Sequence, residues 1–249
     1  MKAVAALSPW IKQKDRIVSP IRGYREDALK RLASIKPIQY AKTRNHLDGD
    51  VTRLSPYISR GILSLQDIRD TAFDMAPPSE KFMQQLAWRE YWHGILKLNP
   101  HYLWADAEDY KTGFEADDYA DELPSDIAKA ETGVACIDQF LSELIETGWV
   151  HNHARLYLAA YVCHWRRVKW QAGAKFFLSH LLDADVASNN LSWQWVASTF
   201  AHKPYYFNLD NVRKFSGDDI DTRFKTNRVL EGTYEALADR LFPNLEHKP

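Results

Sequence analysis

The segment Ser79 to Leu98, SEKFMQQLAWREYWHGILKL, limits the fold more than any other. Phe82, Leu86, Trp88 or Arg89, Tyr91, Trp92, Ile95 and Leu96 recur at three- and four-residue steps, and Asn99-Pro100 supplies a stop. A run of that length and period is a helix and is far too long for an ordinary strand. The same period recurs in GYREDALKRLASI, with Ala28, Leu29 and Leu32 on one face, and in SLQDIRDTAFDM after a Ser64 cap, closed by Pro77-Pro78. It returns from Val134 to Glu146, ending at Gly148, and in HNHARLYLAAYVCHWRRV, AGAKFFLSHLLDAD and TYEALADRLF. After WQWVASTF the chain reads as irregular around Pro204. Glycine is scarce, at 10 of 249 residues, and there is no βαβ alternation, internal repeat or low-complexity tract. The expectation is an all-α fold forming a single domain over residues 1–249.

Only two cysteines occur, Cys136 and Cys163, both in apolar surroundings and without metal-ligand spacing, which suits a reducing cytosol. The apolar stretch Ala3 to Leu7 is too short for a signal-peptide core, and no apolar run is long enough to span a bilayer. The expected location is therefore the cytoplasm, with no membrane contact. A net charge of −1 conceals an uneven distribution. Ala105 to Asp126 carries nine acidic residues against Lys111 alone, which reads as a solvated loop. Thr147 to Leu182 carries five basic residues (Arg155, Arg166, Arg167, Lys169, Lys175) and no acidic one, a modest sign of a surface that attracts polyanions.

The stretch Asp183 to Phe200, DADVASNNLSWQWVASTF, gathers two carboxylates, two adjacent amides and two indoles. Such groups are costly to bury without partners. Arg155 and Asp183 suit each other as an ion pair, because a helical core tolerates either one only when the other is present. Asn189 and Asn190 need donors and acceptors that a flat heteroaromatic ligand offers; alternatively Asp185 or Ser188 simply caps the helix carrying Trp193. Nine tryptophans and twelve tyrosines are many for this length, although each taken singly reads as core filling. His151 and His153 straddle Asn152 in a spacing that favours hydrogen-bonded structural roles over a metal, and no metal is expected. The three aromatics of HKPYYFNLDN could line a cleft, though packing on the core is the simpler reading.

Taken in order, VTRLSPYISRGILS, QLAWREYW, ETGVACID, TGWVHNHARL and DADVASNNLSWQWVAST resemble the motifs of the cryptochrome/photolyase family, over roughly Arg22 to Phe200. The resemblance implies the helical FAD-binding domain of that family, here without the α/β antenna domain that members normally carry before it. It implies FAD as cofactor, with Tyr40, Thr52, Arg53, Leu54 and Ser55 near the diphosphate and ribityl chain. Val51 replaces a family Thr in that segment. Asn152, Arg155, Asp183 and Asp185 are implied around the isoalloxazine, and Asn189 at flavin N5, a photolyase-like choice. Trp193 and Trp170 match the two inner members of the family's electron-transfer chain; the outer Trp is not in its usual place, leaving Asp117 or Tyr119 near that position, and Tyr119 or Trp165 as candidates to end the chain. Trp88 and Trp195 resemble the pair flanking a flipped-out lesion, with Arg44, Gln85, Arg89, Asn152 and Leu156 nearby. Gln85 is similar to the (6-4) class, whereas His151-Asn152 is similar to the cyclobutane class, and Leu156 stands in place of a Met.

The implied activity is light-driven splitting of pyrimidine dimers in UV-damaged nucleic acid by an electron from reduced flavin. Trp193, Trp170, Asn189 and Gln85 are the residues implied in the chemistry. Single-stranded substrates are expected to be favoured, because an unpaired base costs less to unstack. The alternatives are a cryptochrome-like photoreceptor without repair activity and a helical nucleic-acid-binding module.

Overall fold

The computed structural model describes residues 19–75 and 79–245, so the Pro77-Pro78 stop and the stretch Ala3 to Leu7 lie outside the described residues. Helices follow one another as α1 (Arg25–Leu32), α2 (Pro37–Thr43), α3 (Ser55–Ser59), α4 (Leu65–Met75) and α5 (Glu80–Leu98). After the acidic stretch come α6 (Ser125–Ala128), α7 (Ala135–Thr147), α8 (Asn152–Ala160), α9 (Trp170–His180) and α10 (Val186–Ala197). The chain closes with α11 (Leu209–Phe215) and α12 (Tyr234–Leu241). No strand occurs among the described residues beyond one isolated bridge, Ala120 to Val168. The all-α expectation therefore holds.

Local chemistry sets most of the boundaries. Ser64 and Asp67 cap α4 reciprocally: the Asp67 N–H donates to Ser64 Oγ at 3.0 Å and the Ser64 N–H to Asp67 Oδ2 at 2.7 Å. Ser79 caps α5, Thr233 caps α12, and Gly148 ends α7 in the left-handed region at φ +70°. Three readings change. Leu29 is exposed, leaving Ala28 and Leu32 to bury the face of α1. The long helix read through Val168 ends as α at Ala160 and continues as a π turn, Tyr161–Trp165. Around Pro204 the chain is irregular, but Asn208 then caps α11 by accepting from the Asn211 N–H at 2.9 Å.

The acidic stretch is more than a solvated loop. Its charges face water, yet Tyr110, Thr112 and Tyr119 are buried beneath them, and Asp126 grips Arg166 through two hydrogen bonds of 2.8 and 3.1 Å. Charged groups outside and aromatic groups inside is the division that solvation energies require.

Two large apolar cores result, beside a small third cluster of Leu237, Ala238, Leu241 and Phe242. One joins α1, α3, α4 and the start of α5 through Ile21, Leu54, Tyr57, Ile68, Phe82 and Trp149. The larger joins α7 to α11 through Phe140, Tyr157, Trp170, Phe177, Trp193 and Phe207. Cys136 and Cys163 are buried, unpaired thiols in the larger one. Among the described residues no helix is long and apolar enough to cross a membrane.

Candidate functional site

Between the two cores lies a cavity of about 570 Å³. Leu54, Ile68 and Phe82 reach it from the first core, and Phe177, Trp193 and Val196 from the second. Its size falls within the range of about 300–1,000 Å³ usual for small-molecule and cofactor sites.

Two buried carboxylates define its polar wall. Asp183 receives Arg155 Nη2 at 2.9 Å and the Ser55 hydroxyl at 2.8 Å, so the pair suggested by the sequence forms. Burial alone pushes the Asp183 carboxyl up, but the charge and hydrogen bond of Arg155, with the bond from Ser55, outweigh it and hold the group below the usual carboxylate range. Asp185 meets Arg89 Nη1 at 2.5 Å and His93 Nε2 at 3.0 Å. It also caps α10, accepting from the Ser188 N–H at 3.3 Å and the Ser188 hydroxyl at 3.1 Å. Capping and cavity lining, set as alternatives above, are therefore performed by one side chain. Between the two carboxylates Ala184 sits at φ +36°, and across the cavity Arg53 sits at φ +52°, left-handed backbone that costs a non-glycine residue on the order of 1 kcal/mol and tends to collect at functional sites.

The amide pair divides its duties. Asn190 is fully buried and donates to Leu103 O at 2.5 Å, a structural tie rather than a ligand contact. Asn189 lines the cavity, and its Nδ2 is committed to Ala174 O at 3.2 Å and Asn190 Oδ1 at 2.9 Å. What Asn189 can offer an occupant is its carbonyl oxygen, an acceptor.

The lining also carries Tyr40, Thr52, Arg53, Leu54 and Ser55, with Arg44 and Asn152. Their hydroxyls and guanidinium groups suit an anionic, phosphate-bearing occupant. Arg53 is held over the Trp149 ring, 4.1 Å from its centroid. Gln85, Trp88, Arg89, Leu156 and Trp195 complete the lining. Trp88 and Trp195 keep 49% and 39% of their surface exposed, so they form a mouth and leave the core to other rings. Trp88 meets Tyr91 and Trp92 at 5.3 Å each, and Trp195 leans on Tyr205 at 5.6 Å.

Every residue the sequence placed at the cofactor or substrate lies on this lining; of those implied in the chemistry only Trp170 does not. Trp170 is fully buried at the start of α9, in the same core as Trp193, and its indole N–H donates to Asp106 Oδ1 at 2.6 Å. A Cβ on Gly173, one turn further along α9, would come within 2.2 Å of the Trp193 ring, so the ring can approach that helix so closely only because the residue is glycine. The candidates to end the chain take other positions. Tyr119 is buried, stacked on Tyr110 at 4.3 Å, and Trp165 packs on Phe207 at 5.1 Å.

His93, Ser59 and Trp149 serve the site without having been singled out from the sequence. Ser59 accepts from Arg89 Nη2 at 3.1 Å. His93 lies four residues after Arg89 on α5, a spacing that could have revealed it. The His pair is structural: His151 Nδ1 accepts from the His153 N–H at 3.1 Å, and His153 Nδ1 lies 2.6 Å from Asn45 O. Among the described residues no cluster of potential metal ligands occurs.

Known proteins resemble the chain in sequence and in fold. The chain is 36% identical over 162 residues to a deoxyribodipyrimidine photo-lyase of Streptomyces griseus, covering 64% of this chain and 35% of that protein. A deoxyribodipyrimidine photo-lyase of Vibrio cholerae is 27% identical over 165 residues, with the same coverage of 64% and 35%. The chain thus spans about a third of the length of these relatives. Among solved structures, a photolyase of Sulfolobus tokodaii crystallised with two FAD molecules superposes with a TM-score of 0.67 at 26% identity, over 79% of this chain and 45% of that one. A cryptochrome of Synechocystis shares the fold at a TM-score of 0.69 and 22% identity, over 82% of this chain and 46% of its own. The profile of the FAD binding domain of DNA photolyase matches residues 82–227, well over half of the sequence, and the chain belongs to that family.

Proposed function

We propose that the chain binds FAD in the cavity between its two cores and uses light to split pyrimidine dimers in UV-damaged nucleic acid. One observation carries the reading: the Arg155–Asp183 pair and the Asn189 acceptor stand inside a cavity whose mouth is formed by exposed Trp88 and Trp195. When bound in its reduced state, FAD supplies the photo-excited electron for dimer cleavage. The residues do the rest. Arg53, Thr52 and Ser55, with Tyr40 and the Leu54 backbone, hold the diphosphate side, Asn152 stands by the ring system, and Arg44 faces the nucleic acid. Arg155 and Asp183 fix charge beside the ring system, Asp185 anchors the start of α10, and Asn189 accepts from a protonated ring nitrogen, which favours the reduced state. Trp88 and Trp195 supply apolar faces to an unstacked base, a contact worth about 1–3 kcal/mol, with Gln85, Arg89 and Leu156 around it.

Single-stranded substrates are favoured in this reading. A net charge of −1 gives little electrostatic hold on duplex phosphates, whereas the exposed rings Trp88 and Tyr91 suit bases already unstacked. Buried thiols and the lack of a membrane-spanning helix among the described residues suit a cytoplasmic site of action.

The test is illumination of the FAD-reduced protein with oligonucleotides carrying one cyclobutane or one (6-4) lesion, each single-stranded and duplex. Repair of at least one lesion, faster on single strands and abolished in Trp195→Ala while flavin content persists, is the expected result. No repair of either lesion in protein that holds FAD and photoreduces it selects the photoreceptor reading; protein that takes up no FAD overturns the proposal.

A further inference from the structure

A relay through buried indoles needs an exit to solvent, and the cavity wall does not supply one, since Trp193 is 2% exposed and Trp170 fully buried. The ring that covers Trp170 is Trp104. The two indoles lie parallel, 6° between planes and 6.4 Å between centroids, and Trp104 is 38% exposed. We propose that Trp104 is the outer terminus of the electron relay from Trp193 through Trp170, with Asp106 as the group that stabilises positive charge on Trp170. The inference rests on the reading that FAD occupies the cavity.

The placement is built into the fold. Trp104 follows the short turn Pro100–Leu103, and buried amides pin that turn from below. Gln194 Nε2 donates to Tyr102 O at 2.8 Å and Ala105 O at 3.2 Å, and its Oε1 accepts from the Ala107 N–H at 2.9 Å. Asn190 holds Leu103 O, and Gln171 Nε2 donates to Trp104 O at 3.2 Å and Asp106 Oδ1 at 3.1 Å. These ties explain why α10 carries Asn190 and Gln194 at core positions, where apolar residues would otherwise pack.

The electrostatics order the steps. One electron leaves Trp193 for the light-excited, oxidised isoalloxazine. Trp170 refills Trp193, and its positive charge is stabilised by the Asp106 carboxylate bonded to the indole N–H. Trp104 then refills Trp170. The Lys175 ammonium lies 5.4 Å from the Trp104 ring centre and opposes a cation there, so the electron vacancy settles on Trp104 as a neutral radical, the positive charge leaving to water with the indole proton. A soluble thiol returns one electron and one proton, and the chain is restored. The tyrosine pair beside Trp170 is a poor exit. Tyr110 and Tyr119 are buried, and burial raises both phenols, so oxidation would have to expel a proton where no base receives it. Tyr119 has the Thr112 hydroxyl at 2.7 Å and the Arg167 guanidinium beside it, and neither is a base that could take its proton.

The test compares wild type, Trp104→Phe, Asp106→Asn, Trp165→Phe and Tyr119→Phe. In FAD-loaded protein with added thiol, Trp104→Phe should slow flavin photoreduction at least tenfold at unchanged flavin content. Trp165→Phe and Tyr119→Phe should leave it unchanged. Asp106→Asn should shorten the lifetime of the transient tryptophan radical cation, a change that loosened packing alone does not produce. A second arm needs no flavin: flavin-free protein is exposed to a soluble ruthenium photo-oxidant and its oxidised tryptophans are mapped by peptide mass spectrometry. Buried Trp170 should acquire oxidation products in wild type and lose them at least tenfold in Trp104→Phe. Equal photoreduction, or equal oxidation of Trp170, with and without Trp104 overturns the inference. A chain that takes up no flavin sinks the functional reading instead, and the flavin-free arm still decides whether Trp104 is the exit.

Discussion

At the residue scale the Arg155–Asp183 pair illustrates how burial converts a charge into a constraint. Asp183 keeps 5% of its side chain exposed and Arg155 23%, so removing one partner leaves the other poorly solvated. Arg155→Met should cost about 3–5 kcal/mol of unfolding free energy by urea titration, the penalty for stranding a buried carboxylate. Asp183→Asn keeps a hydrogen-bond partner for Ser55 and should cost less. Both should lose FAD. Equal and small stability losses in the two would mean that the carboxylate is better solvated than its burial indicates. Asn189 and Asn190 make a related point. They are adjacent and identical in type, yet Asn189 lines the cavity while Asn190 is fully buried away from it, on Leu103 O. A helix turns by about 100° per residue, so neighbours point to different environments; residue types alone did not say which faced which, and only the motif resemblance put Asn189 at the site.

Among the elements α10 does the most. Its N-terminal turn holds Asp185 and Asn189 at the cavity, its middle places Trp193 against Gly173, and its inner face ties down the turn that carries Trp104. Such a helix cannot be amphipathic in the ordinary sense, since several of its faces meet protein or ligand. Gln194→Leu should strip partners from Tyr102 O, Ala105 O and the Ala107 N–H, costing at least about 2 kcal/mol at 1–3 kcal/mol per unsatisfied buried group. Hydrogen exchange of residues 102–107 should accelerate before that of α8 or α9. Uniform protection across all three would place the strength of the turn elsewhere. Helix α5 shows what periodicity conveys and what it omits. Its spacing revealed the helix, but the aromatic stripe at Trp88 and Tyr91 turned out to be exposed, because an unfilled mouth and a packed core have the same sequence signature.

For the molecule as a whole, three buried histidines couple stability to pH: burial lowers His153, and it lowers His151 and His164 furthest. Burial pushes His151 and His164 down to about 4 from an ordinary value near 6.5. In that interval the unfolded chain binds protons that the folded chain refuses. Stability is therefore full above about pH 6.5, falls as pH drops toward 4, and receives no further loss from these groups below it. Each histidine contributes on the order of 3 kcal/mol at most. Urea midpoints should decline between pH 7 and 5, and replacing His164 by Asn should flatten the decline; a flat profile in wild type would show that both rings are already solvated.

The sequence by itself determined the helical class, several helix ends and, through its motifs, most of the polar and indole residues of the cavity, because helix period and capping are local and a motif keeps its residues wherever the chain carries them. Tertiary structure decided the rest. Ser55 meets Asp183 across 128 residues and Asp106 meets Trp170 across 64, and the cavity exists only where two separately formed cores abut. No local pattern encodes those meetings. They follow from which apolar faces exclude water together, a property of the packed molecule alone.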